Sequence, residues 1–394
     1  MFFENIDFSS LELPPAALKL RDEVRAFLRA EIAAGSFVPH LGHAEFDLDF
    51  TQKVAARGWI GLTWPKQYGG QERSFLERFV ITEEMLAAAA PCAAHWFGDR
   101  QTGPSLLRHG SEFLKQKYLP AIARGEMAFA LGMSEPGSGS DLASVRTRAE
   151  KVDGGWKVTG QKVWTSWAHK ADAFFVLCRT APQSDDRHQG LSQLIVEIKK
   201  SPGVTVRPIR FMNGEHHFNE VFLDNVFVPD DHVVGEAGQG WKQITSELAL
   251  ERSGPERFMT TLPLLVELIR RLGQRDNGGD ARAHEMVGRL TARLWTLRRM
   301  SLAIALALDP SSGKQSVDLA TEAALVKDMG TFYEREIIDA ARLLVAVEPT
   351  LDATDTFERY LAECIVSAPV STIRGGTTQV LRTLIARRLL GALK

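Results

Sequence analysis

The sequence predicts an α+β protein with an N-terminal helical domain, a middle antiparallel β-domain of sandwich or barrel type, and a C-terminal helical bundle. Three observations predict it. Apolar residues recur at helical spacing up to about Arg124; short β-branched or aromatic runs separated by turns follow from about Glu126 to Gly240; helical periodicity returns after Trp241. The expected domains are therefore residues 1–125, 126–240 and 241–394.

In the first segment Leu20, Val24, Phe27, Leu28 and Ile32 share one helical face. Its interruptions, Trp64-Pro65-Lys66-Gln67-Tyr68-Gly69-Gly70 and Gly103-Pro104, punctuate helices without forming a linker. The middle segment opens with the hairpin signal Asp153-Gly154-Gly155 before Trp156–Thr159, and further strands are expected at Phe174–Leu177, Leu194–Ile198, Val204–Val206 and Val221–Leu223. In the last segment Val287, Leu290, Leu294, Leu297 and Ile304 form an apolar stripe, with Arg289, Arg293, Arg298 and Arg299 elsewhere on the helix surface. Another helix is expected from about Val317 to Leu344, and Gly273–Asp280 reads as a loop.

The 394 residues carry 47 Lys+Arg against 49 Asp+Glu, a net charge of −2, so no overall basic field draws nucleic acid or an anionic membrane. An anionic ligand has to be met locally. With 44% hydrophobic and 24% charged residues the chain is an ordinary globular one. Cys92, Cys178 and Cys364 match neither a disulfide framework nor a zinc site, which fits a cytoplasmic protein. The start Met-Phe-Phe-Glu-Asn-Ile-Asp is unlike a secretory signal, and the uncharged stretch from Met85 to Phe97 is too short for the roughly 20 residues that span a bilayer.

Four constellations could carry chemistry. Met133-Ser134-Glu135-Pro136-Gly137-Ser138-Gly139-Ser140-Asp141 combines small residues and hydroxyls, letting backbone N–H groups approach an anion or cofactor edge; the alternative is an ordinary connecting loop. It is neither a phosphate loop nor a dinucleotide fingerprint. Lys162-Val163-Trp164-Thr165-Ser166-Trp167 could offer a flat surface and hydroxyls to an aromatic ring, or could pack a core. Pro255 cannot donate to the carbonyl of Glu251, so a kink is expected there that turns the carboxylate into a cavity, where desolvation would suit a general base. The alternative is a solvated, ion-paired helical Glu. Finally, Ile373-Arg374-Gly375-Gly376-Thr377-Thr378-Gln379 enters a helix whose N-terminus could receive a phosphate, or whose Thr residues simply cap it.

Taken together these segments resemble the acyl-CoA dehydrogenase family over almost the whole chain. Ala130–Asp141 is similar to its Thr/Ser-Glu-Pro-Gly-x-Gly-Ser-Asp signature, Lys162–Ser166 to its second flavin motif, Val226-Phe227-Val228-Pro229 with Gly235 to its usual strand end, and Gly375–Arg382 to its C-terminal Gly-Gly-Thr-x-Gln/Glu signature. The resemblance implies FAD, with Met133 and Ser134 on the flavin ring edge, Trp164 and Ser166 bordering the isoalloxazine, Gly139 and Ser140 near pyrophosphate or acyl-CoA, and Thr377 and Gln379 on the adenosine half. It implies α,β-dehydrogenation of an acyl-CoA, in which a base takes the α-proton while a hydride leaves the β-carbon, and the N–H of Gly375 polarises the thioester carbonyl.

Most members carry the base immediately before the Gly-Thr of the C-terminal motif, where this chain has Gly375. Others, including members for branched or long chains, place it in a Glu-Arg pair after the β-domain, here Glu251-Arg252. Glu251 is therefore the expected base, and Ser140, Arg252 and Gly375 the expected substrate contacts. The family's Arg-x-x-Phe-Gly segment is replaced around Gly273–Asp280, and its Gln-x-x-Gly-Gly motif is not recognisable between Val345 and Tyr360. Similar divergence occurs in members acting on steroid-derived or other bulky acyl-CoAs, some of them heterotetramers. The resemblance implies electron-transfer flavoprotein as acceptor and a homodimer, homotetramer or heterotetramer. Alternatives are a catalytically silent FAD-binding partner subunit, favoured by Gly375, and an acyl-CoA oxidase-like flavoenzyme.

Overall fold

The structure, a computed structural model, describes residues 12–41, 45–182, 184–275, 280–309 and 318–392; of 246–250 and 392 the backbone alone is described. The expectations placed on the first residues of the chain and on the centre of the Gly273–Asp280 loop lie outside the described residues. Helices α1 (Pro15–Ala33), α2 (Leu48–Ala56), α3 (Phe75–Ala87), α4 (Ala93–Phe97), α5 (Gly103–His109) and α6 (Glu112–Ala123) come first. Strands β1 (Phe129–Gly132), β2 (Arg148–Val152), β3 (Gly155–Ser166), β4 (Ala173–Arg179), β5 (Leu191–Glu197), β6 (Val204–Ile209) and β7 (Phe218–Pro229) follow. The chain closes with α7 (Gly240–Ser253), α8 (Leu262–Gly273), α9 (Ala281–Leu308), α10 (Ala320–Leu344), α11 (Thr356–Ser371) and α12 (Thr378–Ala392). The expected order of helices, strands and helices is present. Among the described residues no helix is long and apolar enough to cross a membrane, and the three cysteines are buried and unpaired with one another.

Local chemistry sets many helix starts. Asp47 accepts from the N–H of Phe50, Ser74 and Glu77 form a reciprocal capping box, and Ser111, Asp280 and Asp355 cap α6, α9 and α11. Each such side chain satisfies an N–H that the helix itself leaves without a partner.

The fold divides into two compact units, and the division falls within α7 between Leu248 and Ala249. One unit draws on the described parts of residues 46–73 and 92–248. Its centre is a seven-stranded sheet of order β1-β4-β2-β3-β7-β6, with β5 also pairing β4. The Asp153-Gly154 turn joins β2 to β3 as the sequence predicts, Gly154 taking the positive φ that such a two-residue turn demands. The antiparallel expectation holds for β2·β3, β3·β7, β6·β7 and β4·β5, whereas β1 runs parallel to β4 and β2 meets β4 in parallel at Arg148↔Arg179. Strand β4 is buried from Ala173 to Cys178, which explains its unbroken apolar run; β6 alternates because only one face is covered.

A buried ion pair ties this sheet to the loop after β1. Lys162 of β3 has no exposed side-chain surface and donates to Glu135 at 2.8 Å and to the carbonyl of Met133 at 3.2 Å. Glu135 also accepts from the backbone N–H groups of Arg146 and Thr147, at 2.6 and 2.9 Å, so the charges are hydrogen-bonded as well as paired. Burial works to raise the Glu135 carboxyl, but the charge and hydrogen bond of Lys162 outweigh it and hold the group below the usual carboxylate range.

The other unit draws on the described parts of residues 1–45, 74–91 and 249–394. Within it α10 packs against α8, α9, α11 and α12, and Leu381 and Ile385 of α12 close on Ala324 of α10. Of the apolar stripe expected on α9, Leu290, Leu297 and Ile304 are buried. Ion pairs bind α3 to its neighbours: Arg298 of α9 reaches Glu83 at 2.8 Å, and Arg25 of α1 reaches Glu84 at 2.8 Å. On α10 the buried Lys327 donates to the carbonyl of Ser371 at 3.0 Å, fixing the end of α11. Burial pushes its ammonium down to about 8, helped by Arg257 and Arg374 and opposed by Glu334 and Asp328.

Two outcomes are expected. Replacing Lys162 by Met strands Glu135 in a buried place and should cost about 3–5 kcal/mol in denaturant unfolding, with a smaller loss when Glu135→Gln accompanies it. Lys327 binds its proton less tightly folded than unfolded, so its destabilising charge is present below about pH 8 and is relieved as pH rises toward the unfolded value near 10.4. The unfolding midpoint of the wild type relative to Lys327→Met should therefore rise between pH 7.5 and about 10; a constant difference would contradict this burial effect.

Candidate active site

The expected site residues fall on both units. In the sheet unit, β1 ends at Gly132 and delivers Met133 and Ser134, both half-buried. Met133 packs against Val145, Leu177, Leu191 and Ile244. The carbonyl of Ser134 takes the N–H of Val163 at 2.9 Å, which lays the loop after β1 against the end of β3. Beyond it, Glu135 and Ser138 exchange two backbone hydrogen bonds, of 2.9 and 3.0 Å, across Pro136-Gly137, and the Ser138 hydroxyl donates to the carbonyl of Asp141 at 2.6 Å. A Cβ at Gly137 or Gly139 would meet nothing within 4 Å, and Gly139 and Ser140 are exposed. The open side of this turn is one a ligand can approach closely.

Strand β3 is irregular against β7 between Lys162 and Thr165, and the irregularity turns Trp164 outward. Trp164 holds φ at +61°, in the left-handed region that bulky residues avoid, with the residue 55% exposed and the ring edge-on to Phe218 at 5.9 Å. An exposed indole on strained backbone is no core residue, and such strain gathers at ligand sites. Trp167, by contrast, is buried as core packing would have it. An open indole face with the half-buried hydroxyl residues Ser134 and Ser166 in the two adjoining segments fits a planar aromatic ligand with a polar edge.

In the helical unit, α7 stops at Ser253 instead of kinking at Glu251. Gly254 is extended and Pro255 opens a short 3-10 turn, Pro255–Arg257. The turn takes its Pro at the first position, where an N–H would have no helical partner in any case. The helix thus ends before the steric clash that would have bent it. What Pro255 withholds, Arg257 provides: its Nε donates to the Glu251 carbonyl at 2.9 Å and a terminal nitrogen donates to Glu251 Oε1 at 2.7 Å. The Glu251 side chain is 14% exposed and that of Arg257 4%. The carboxylate is therefore secluded, as a base near a substrate would be, and it is also paired.

Arg252 is buried as well, and its Nε donates to the carbonyl of Gly375 at 3.0 Å. Burial pushes this guanidinium below its ordinary value and Arg257 adds to the effect, while the charge of Glu251 opposes both. Gly375 and Gly376 have φ of +69° and +95°. A Cβ on Gly375 would lie 2.9 Å from a terminal nitrogen of Arg257, so the positive φ disfavours a side chain there and the guanidinium would have to shift to admit one. Among the described residues no backbone carbonyl takes the N–H of Gly375. Thr377 acts as the plain cap, accepting from the N–H of Val380 at 3.3 Å, and Gln379 is exposed on the first turn of α12.

Glu251, Arg252 and Gly375 thus come together through two arginines, and Met133, Ser134 and Trp164 gather around the end of β3. Arg257 and the Lys162–Glu135 pair escaped the sequence reading as participants. Their signals were present: an Arg two residues after the proline that deprives Glu251 of its bond, and a Lys and a Glu inside the two flavin-like motifs.

Comparison with known proteins extends these observations. Residues 14–126, 130–226 and 238–390 match, in turn, the N-terminal, middle and C-terminal domains of acyl-CoA dehydrogenase. The acyl-CoA dehydrogenase IpdE1 of Mycobacterium tuberculosis is 34% identical over 389 residues, covering 95% of this chain and 97% of that protein. The acyl-CoA dehydrogenase FadE34 of the same organism is 36% identical over 341 residues, and the match spans 86% of this chain but 45% of the longer relative. Among solved structures, the Tcur3481-Tcur3483 steroid ACAD superposes with a TM-score of 0.81 at 29% identity, covering 97% of this chain and 99% of that one. The ChsE4-ChsE5 complex from Mycobacterium tuberculosis does so with a TM-score of 0.79 at 26% identity, covering 97% and 99%. Matched along all three segments, the chain belongs to the acyl-CoA dehydrogenase family of flavoprotein oxidoreductases.

Proposed function

We propose that this protein dehydrogenates a branched or bulky acyl-CoA thioester to the trans-2-enoyl-CoA with FAD as cofactor and Glu251 as base. The observation that carries the reading is the secluded Glu251 carboxylate, bonded to Arg257, whose guanidinium lies beside the glycine that leaves the C-terminal motif without a side chain. A base that must meet a weakly acidic C–H needs a fixed, water-poor setting, and both Glu251 and its partner have one. The bulky substrate class draws on the steroid ACAD at 29% identity.

Met133, Ser134, Trp164 and Ser166 would hold the flavin ring, Gly139 and Ser140 would approach pyrophosphate or the acyl-CoA, and Thr377 and Gln379 would serve the adenosine half. Bound there, FAD supplies the acceptor for the hydride that leaves the β-carbon. Glu251 takes the α-proton onto its carboxylate. The N–H of Gly375 polarises the thioester carbonyl, which acidifies that proton, and Arg252 orients the same segment by holding the Gly375 carbonyl. Electron-transfer flavoprotein is the expected acceptor for the reduced cofactor. A homodimer, homotetramer or heterotetramer is compatible with this reading.

A second reading, a catalytically silent FAD-binding partner subunit, draws on Gly375 and on the likeness to the two-chain ChsE4-ChsE5 complex. The two readings part experimentally. The purified protein loaded with flavin should bleach anaerobically with at least one of a straight, a branched and a steroid-like acyl-CoA. Glu251→Gln should retain the oxidised spectrum while bleaching about 100- to 10,000-fold more slowly. Bleaching of that variant at the wild-type rate removes Glu251 from the mechanism, and a wild type inert to all three thioesters supports the silent subunit.

A further inference from the structure

Arg257 does more around Glu251 than a chance salt bridge would. It grips one residue twice, at the carbonyl that Pro255 leaves without an N–H and at the carboxylate, so the backbone and side chain of Glu251 are held relative to each other. A planar guanidinium suits this double hold, since its donors sit in a rigid fork.

The surroundings are shaped to seat it. Gly330 lies in the middle of α10, where a glycine weakens a helix, and a Cβ there would come within 2.3 Å of the Arg257 carbonyl oxygen. Gly375 makes room on the other side, its missing Cβ lying 2.9 Å from a terminal nitrogen of Arg257. Gly330 thus admits the main chain of Arg257 to α10, and Gly375 leaves the space beside its guanidinium open. The space a side chain on residue 375 would take belongs to the cation that orders Glu251.

We propose that Arg257 is the positioning residue of Glu251, fixing its carboxylate and keeping it ionised for proton abstraction. The proposal rests on the reading of Glu251 as base. It links Gly375 to Glu251: a side chain at position 375 would require the guanidinium that serves the carboxylate on α7 to shift. The other charged groups facing this corner are Arg252 on α7, Glu256 on the 3-10 turn, Lys327 and Glu334 on α10, and Arg374 before α12. Arg252 is engaged with Gly375, Lys327 with Ser371, and Arg374 lies 3.7 Å from Glu334. On α3, Glu83 and Glu84 are taken by Arg298 and Arg25. Arg257 thus donates directly to the Glu251 carboxylate, and the charge of Arg252, whose Nε is engaged with Gly375, also acts on it.

The test follows the carboxylate itself. Infrared difference spectra of the flavin-loaded protein, recorded against pH, report the Glu251 band as the one missing from Glu251→Gln. In Arg257→Gln its midpoint should rise by about one to three pH units, the effect of removing an opposite charge at hydrogen-bond distance. Arg257→Lys keeps the charge but reaches one acceptor in place of two, and its midpoint should fall between the other two proteins. An unchanged midpoint in Arg257→Gln overturns the proposal, and if that variant does not fold, an unchanged midpoint in Arg257→Lys does so. Failure here leaves the bleaching of Glu251→Gln untouched, so the role of Arg257 and the identity of the base are judged separately.

Discussion

Pro255 has no N–H to donate, and the corner around Glu251, proposed to carry the chemistry, is organised around that missing bond. Helix α7 ends two residues earlier, the Glu251 carbonyl lacks its helical donor, and Arg257 turns back to fill the vacancy. Because the donor is a guanidinium, it satisfies the carbonyl and still has a nitrogen for the carboxylate beside it. A local backbone defect thereby comes to hold a carboxylate in one place. Gly330 and Gly375 follow from it, since each leaves the space that the arginine occupies.

The sheet unit solves a related problem with a different pair. Lys162 and Glu135 stand within the two flavin-like motifs, and their buried contact sets the loop after β1 against the end of β3. Every principal hydrogen bond of the pair is made inside the protein, to each other, to the Met133 carbonyl and to the N–H groups of Arg146 and Thr147. A buried pair adds little to stability compared with an apolar substitute, but losing one member is costly. Its value lies in holding the strained Trp164 and the open Gly/Ser turn in place. Both corners therefore use an ion pair to position main chain.

Much of this was legible in the residues. The change from helical to two-residue periodicity near Glu126 marks the sheet, Asp153-Gly154 marks its hairpin, and capping residues such as Ser74 and Asp280 mark helix starts, because each is a local preference. The parallel partnership of β1 with β4 was not legible: β1 is four residues long, and its partner lies some forty residues away. At the site, Glu251 could be picked out from Pro255 and from the Glu-Arg pair, yet the end of α7 and the grip of Arg257 depend on how the 3-10 turn packs against Gly330 and Gly375. The positive φ of Gly375 was equally hidden, since a glycine in a sequence does not say which backbone region it serves. At Thr377 the capping role that its residue type suggested is present, its hydroxyl accepting from the N–H of Val380.

The central claim is that the proton leaves the α-carbon for Glu251. Its most direct measurement is the washout of label from an α-deuterated acyl-CoA incubated with the flavin-loaded protein in ordinary water, followed by mass spectrometry. Wild type should exchange the α-deuterium, and Glu251→Gln, with its flavin in place, should retain it. Washout at the wild-type rate in Glu251→Gln would contradict the account and send the search for the base to another residue.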